Sequence, residues 1–574
     1  MLVYSRTYIL NNLDESLMRF VVDPAIKTKI ARMKERVHWQ HPAFKQLQID
    51  QTQMTFVDTP TDNTNPKNID PKNSTKEQSS EAAEFSFLVI GDSGTSRYIT
   101  DSPQRRVTKE LIKHTDECEF ILHTGDVVYL VGSSEQYPDN FIKPYREFLV
   151  GGDSPHKIRF DKMTFKLPFL PVLGNHDYYD LPLISGILSK ALSPLRRLLR
   201  RRINLDVGWH GSHQGEAFAR AFLDYTYQLS DRQLTNHLKT HYCAAVSSHH
   251  TAKKTSATAP TEEPTSETRC LRYVLFDFYR VTNVIYTFRK NGIDFFALDS
   301  NTFNAPQPLA TDPAGIAMRD RLEKERDRLE ENMRSFTAES LTLNTNIPEQ
   351  ASRASSLYSK MEQIEEQIQD IDKQLNISPK EAAVDTEQLE WLSDRLIASW
   401  QDPTAKGRIL YFHHPPYVSE ATKWAQGQTL AVRLRLREVL DQVQLTIGEY
   451  SRPLVDLVLN GHAHCFEYLT TVETGHGDRI IPWVICGGSG FSLRRQRKEG
   501  PILKEFDQPV AKSHLFVGRS NRRRPYSGLR VDVTFSGKGK DQRPQFALRP
   551  LIAERYQGKW KSYEMAPILL HAEC

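Results

Sequence analysis

The sequence predicts an α/β sandwich interrupted by a helical hairpin, and three observations predict it. Six short apolar runs, each closed by a polar cluster, have the length and composition of buried strands: Phe85 to Ile90, Phe120 to His123, Phe169 to Leu173, Ile293 to Leu298, Ile409 to Phe412 and Leu454 to Leu459. Longer segments able to form helices separate them, which is the alternation of a layered α/β fold. Between residues 316 and 376, Leu357, Met361, Ile364, Ile368, Ile371 and Leu375 recur at alternating spacings of 4 and 3, an a/d seam.

Residues 1–57 form an N-terminal segment expected to be helical, with Ile26, Ile30 and Met33 at helical spacing. Residues 58–84 turn to Thr, Asn, Pro, Lys and Ser with almost no aliphatics. Nothing there buries enough surface to offset the entropy of ordering it, so a flexible linker is expected. Residues 85–310 hold the first part of the sandwich, with insertions at 180–270. One of these crowds Arg196, Arg197, Arg200, Arg201 and Arg202 around a few apolar positions, and 244–269 is a Ser/Thr/Ala/Pro/His tract. Residues 311–380 are the hairpin, a self-contained antiparallel coiled coil whose first arm offers Leu322, Leu329, Met333 and Phe336 and whose turn lies near Pro348. Its sequence names no partner. Residues 381–574 return to the sandwich and end in strands.

Composition narrows the function classes. With 39% hydrophobic residues in a chain of 574, a sizeable core forms and a wholly disordered protein is excluded. Lys plus Arg is 75 against Asp plus Glu 71, and a net charge of +4 over this length gives no global signal for nucleic acid or membrane. The arginine cluster reads as a solvated helix face before it reads as a nucleic-acid or anionic-lipid contact. No apolar run approaches the ~18–20 residues of a transmembrane segment. The first residues include Asp14 and Glu15 and lack the apolar core of a secretory signal. Six cysteines stand without CxxC spacing, which argues against a disulfide framework or structural zinc and for a cytoplasmic location.

Five clusters carry the chemistry, each at or beside the end of a predicted strand. They are Gly91-Asp92-Ser93-Gly94, Gly125-Asp126-Val127-Val128-Tyr129, Gly174-Asn175-His176-Asp177, His413-His414-Pro415-Pro416 and Gly461-His462-Ala463-His464. Singly, each is what a turn looks like: Gly supplies the backbone angles and Asp caps the next helix. His462 and His464 stand at i and i+2, so in an extended segment both imidazoles point one way. Together the clusters bring two carboxylates, an amide, a tyrosine and three histidines to strand ends. That is a donor set for two cations, with one carboxylate shared.

The ordered set resembles the calcineurin-like metallophosphoesterase superfamily, across roughly residues 85–178, 282–304 and 386–490. The resemblance implies a four-layer α/β/β/α sandwich and a hydrolase cleaving phosphate esters. Most members begin with Asp-x-His, whereas this chain has Asp92-Ser93-Gly94 and, three residues after Asp126, Tyr129. That combination is similar to the purple acid phosphatase branch, where the tyrosine is a phenolate ligand to Fe(III). Carried over, Asp92, Asp126, Tyr129 and His464 bind the first metal, and Asp126 bridges. Asn175, His413 and His462 bind the second, a divalent iron, zinc or manganese. A metal-bound hydroxide is the implied nucleophile, monoesters are the preferred substrates, and His176 stabilises the transition state or protonates the leaving oxygen. One departure stands out: the branch's second acid histidine, a few residues after His413, is replaced by Ser419, Glu420, Thr422 and Lys423. His414 or Glu420 is the candidate substitute. The rival expectations are a phosphodiesterase on cyclic nucleotides or other diesters, and a non-catalytic binding protein stapled by its metals. The hairpin lies outside all five clusters, so its excision is expected to spare small-substrate hydrolysis.

Overall fold

Residues 22–57, 83–94, 102–129, 131–180, 213–244, 268–276, 278–344, 347–378, 382–448, 452–520, 522–537, 542–557 and 559–570 are described by the structure, a computed structural model. The arginine cluster at 196–202, nearly all of the 58–84 segment and nearly all of the 244–269 tract lie outside them.

Two sheets form the centre. The larger has eleven strands in the order Ile502–Glu505, Gln508–Val517, Phe466–Thr471, Pro482–Cys486, Leu457–Asn460, Gly407–Phe412, Ile293–Ala297, Tyr286–Lys290, Ile49–Val57, Arg269–Val274 and Tyr242–Ala244. The smaller has seven. Its main order is Lys559–Glu564, Arg543–Tyr556, Arg523–Ser536, Phe85–Ile90, Ile121–His123 and Phe169–Pro171, and Ile568–Leu570 pairs on Arg543–Tyr556. The predicted strands sit at the heart of both. In each sheet these central strands run parallel: Ile90 is beside His123 and His123 beside Pro171, while Phe412 is beside Asn460. Parallel strands in this register deliver their C-terminal ends to one edge, and there the five clusters meet.

Alternation along the strands assigns the layers. Ile293, Phe295 and Ala297, Ile409 and Tyr411, and Leu457 and Leu459 join the core shared with the smaller sheet. Phe296, Leu298, Leu410, Phe412 and Val458 point the other way, onto the helices Thr386–Gln401 and Gly427–Ile447. Between the sheets an aromatic stack interlocks: Phe295 meets Phe87 at 5.6 Å and Phe120 at 5.4 Å, both edge to face. Truncating Phe295 to Ala at such a site costs about 3–5 kcal/mol. Outside the smaller sheet lies the helix Pro103–Leu111, started by Pro103 and by the Ser102 side chain accepting from Arg105 N. Its Leu111 packs so closely on Gly528 that a Cβ there would sit 2.8 Å from Leu111 Cδ2. The order helix, sheet, sheet, helix is the four-layer sandwich.

The N-terminal expectation is only half met. Ile26–Arg36 is a helix, but Ile49–Val57 is a strand inside the large sheet, parallel to Arg269–Val274. Its Gln and Thr residues hide the alternation from hydropathy, because one of its neighbours is a peripheral strand. The segment 311–380 contains two helices, Pro313–Thr342 and Pro348–Asn376. They run antiparallel, with Arg326 paired to Asp372 at 2.9 Å and Arg353 to Glu339 at 2.6 Å. Leu322, Leu329, Met333, Ile364 and Ile371 make a core of their own, separate from the sandwich. No disulfide occurs among the described cysteines, and no helix among the described residues is long and apolar enough to cross a membrane.

Candidate metal centre

The loops at the common edge are held in conformations that few residues tolerate. Asp92, Asp126 and His462 have φ of 51°, 57° and 66°, in the left-handed region. At His462 this breaks the extended geometry expected for His462-Ala463-His464, so the two rings serve different sets of donors. Gly174 is required by closeness: a Cβ would lie 2.0 Å from Asp126 Oδ1. At Gly94, where an Asp-x-His motif would place its imidazole, a Cβ would lie 2.7 Å from Val128 Cα and 2.8 Å from Tyr129 N. No side chain fits there, and Tyr129 is on hand instead.

The donors converge as two sets sharing Asp126. In the first, the Tyr129 hydroxyl lies 2.7 Å from Asp126 Oδ2, 3.0 Å from Asp92 Oδ1 and 3.3 Å from His464 Nε2. In the second, Asn175 Oδ1 lies 3.0 Å from His413 Nε2 and 3.1 Å from His462 Nδ1, and His413 Nε2 is 3.4 Å from Asp126 Oδ2. Cations bound at ~2.0–2.2 Å space their ligands about 3.0–3.4 Å apart, so both sets fit a metal ion. All seven ligands expected from the sequence are present and buried.

Comparison with known proteins agrees. Residues 85–223 match the family model for the calcineurin-like phosphoesterases, a span containing Asp92, Asp126, Tyr129, Asn175 and His176. The chain carries a calcineurin-like phosphoesterase core. No curated protein matches it. Among solved structures it is similar to the purple acid phosphatase PPD1 from seeds of yellow lupin, Lupinus luteus (11% identity over 85% of this chain and 55% of that chain, TM-score 0.37). It is also similar to GAP50, the anchor in the inner membrane complex of Plasmodium (10%, 84% and 88%, TM-score 0.35), and to PhoD (11%, 85% and 69%, TM-score 0.34).

The electrostatics of the phosphoesterase site ask for cations. Burial pushes Asp92 up to about 8; His413 opposes this and the negative charge of Asp126 adds to it. Burial would also raise Asp126, but His413 and His176 outweigh it and hold that carboxylate below its usual range. His413 is pushed up to about 9, because Asp126 overcomes the penalty of burying its charge. Burial, then Asp126 and Asp92, keep the Tyr129 phenol well above its ordinary value. Protons on Asp92, His413 and Tyr129 thus stand where cations would replace them.

The remaining motif residues take distinct places. His176 lines the cavity above the donors, its ring 4.2 Å from that of Tyr129, and its backbone N–H donates to Asp126 Oδ1 at 2.9 Å. His414 lies behind the site: Nδ1 is 2.8 Å from Ser300 Oγ and Nε2 is 3.2 Å from Asn304 Nδ2, while its ring packs 4.5 Å from that of His462. Sequence reasoning misses Asp177. Its carboxylate accepts from the N–H groups of Gly174, Asp126 and Val127, locking two ligand loops together. Its place in the Gly-Asn-His-Asp cluster is the available signal.

One expectation is overturned. The hairpin does not stand apart from the chemistry. Glu365, Glu366, Gln369, Asp370 and Lys373 of its second arm line the same cavity as Asp126, Asn175, His176, His462 and His464. Those residues lie off the apolar seam, so in sequence they look like a solvated flank.

Proposed function

We propose that the protein hydrolyses phosphate esters, monoesters in preference, with Fe(III) at the first donor set and a divalent iron, zinc or manganese at the second. The observation that carries this reading is the convergence of seven buried donors into two sets that share Asp126. The first set is rich in oxygen anions and suits a hard trivalent ion; the second, with two imidazoles, suits a divalent one. Bound there, the cations would neutralise the phosphate and bring the pKa of water down towards neutrality.

The chain's own residues do the rest. Asp126 holds the two sets together, and Asp177 holds Asp126 and the Asn175 loop in register. His176, in the cavity wall, is the acid placed to protonate the leaving oxygen. His414 buttresses His413 and His462 rather than carrying a proton, because Ser300 and Asn304 engage both its ring nitrogens.

The covering of the site by the hairpin favours one other reading, a binding protein in which the metals are a staple. The test is turnover of an aryl phosphate and of the diester with the same leaving group, after both metals are restored. Faster hydrolysis of the monoester is expected. A preference for the diester would make the protein a phosphodiesterase, and inertness towards a broad panel with both metals bound would favour the staple.

A further inference from the structure

The cavity over the donors measures about 40 Å³. That is room for roughly three waters, not for a phosphate ester with its leaving group. What fills the rest is the hairpin's second arm. Glu366 places one carboxylate oxygen 3.2 Å from Lys423 Nζ and the other 3.0 Å from Arg494 NH2. Lys423 Nζ is in turn 3.1 Å from His462 Nε2, the ring nitrogen turned away from Asn175. The Arg494 backbone N–H donates to the carbonyl of His464 at 2.9 Å. Each cation therefore stands beside one ligand histidine, and both are buried. A Lys and an Arg beside a two-cation centre form the arrangement that binds non-bridging phosphoryl oxygens. Here a carboxylate with the same two-oxygen geometry holds them. Its acid is kept below the ordinary range because Lys423 and Arg494, then His464 and His176, outweigh its burial.

The hairpin's attachment suits a cover that comes off. Its apolar residues pack on each other. Its grip on the sandwich is polar: Glu366 on Lys423 and Arg494, Lys373 on Asp23 at 2.7 Å, and Asp370 accepting from Gly427 N at 3.1 Å. Polar contacts exchange for water at small net cost, whereas an apolar seam does not.

We infer that Lys423 and Arg494 are the phosphate-binding subsite of this centre, and that Glu366 occupies it as an internal competitor that substrate phosphate displaces. The inference rests on the phosphoesterase reading for its substrate but not for its test. Lys423 also stands where the branch's second acid histidine is missing, so the departure in sequence has a counterpart in charge.

The experiment measures binding of inorganic phosphate to the metal-loaded full-length protein by calorimetry, without turnover. Glu366→Gln keeps the size of the side chain and removes its charge, and should bind phosphate about tenfold more tightly than wild type. Lys423→Gln and Arg494→Gln should each bind it about tenfold more weakly. Melting temperatures with and without phosphate guard against loss of fold: phosphate should stabilise Glu366→Gln more than wild type, since it fills the place left beside two buried cations. Equal or weaker binding in Glu366→Gln without that rescue would make Glu366 a strut, and unchanged binding in the Lys423 and Arg494 variants would remove the subsite. The two readings fail separately. The expected binding pattern with no ester hydrolysis would sink the enzyme and keep the subsite; hydrolysis without the pattern would do the reverse.

Discussion

Tyr129 decides the identity of the first metal. Its hydroxyl touches both carboxylates, and burial beside them keeps its proton on, so only a strongly polarising cation converts it to a phenolate. Charge transfer from a phenolate to Fe(III) absorbs visible light, so the protein reconstituted aerobically with iron should be purple or pink. Phe491 stacks on the Tyr129 ring at 3.9 Å, nearly parallel, and would hold a phenylalanine equally well. Tyr129→Phe should therefore bleach the colour while the fold survives. A colourless wild type, or a variant that keeps its colour, would take the chain out of the purple branch. Asp126 is the other decisive residue, because both donor sets use it. Asp126→Asn should strip both metals, read by metal analysis, whereas Asn175→Ala should empty mainly the second position. Two metals retained in Asp126→Asn would refute the bridge.

The N-terminal helix and the hairpin meet at Asp23, which lies between Lys29 and Lys373 at 2.7 Å from each. Burial works to raise its acid, but the two lysines outweigh it and bring it to about 2. A carboxyl depressed from about 3.9 by this much contributes about 2 kcal/mol of stability above pH 4, lost as the pH falls through 2. Asp23→Asn should be less stable than wild type by about that amount at pH 7, and urea unfolding should show the gap closing between pH 4 and pH 2. A gap independent of pH would mean that packing, not charge, is at stake. This junction is not readable from sequence, since Asp23 and Lys373 are 350 positions apart and neither breaks a local pattern. The elements that are readable share a physical reason. Phe85–Ile90 and Gly407–Phe412 are buried on both faces, which writes continuous apolar runs, and the ligand loops after them need Gly beside Asp, Asn or His. Ile49–Val57 has no such run, and the C-terminal strands alternate with charge, as in Arg530, Val531, Asp532 and Val533. Glu366 is invisible for the opposite reason. Beside a strict seam, a glutamate looks like any solvated flank.

On the scale of the whole molecule, the sandwich holds the centre and the hairpin governs access to it. The two have separate cores, so the sandwich should fold with the hairpin replaced by a short Gly/Ser linker from Thr311 to Lys380. The contacts of the second arm give that excision two effects. Asp370 accepts from the N–H groups of Gly427 and Gln428 at the start of the helix Gly427–Ile447, so its removal should lower stability by about 1 kcal/mol, the worth of a helix cap. Glu366 leaves with the arm, so Lys423 and Arg494 become available to phosphate. Turnover of a small aryl phosphate should then rise several-fold in kcat/KM, carried by KM, with kcat little changed because every metal ligand and His176 belong to the sandwich. Complete loss of hydrolysis in a soluble, folded, metal-loaded variant would show instead that the hairpin completes the site and does not guard it.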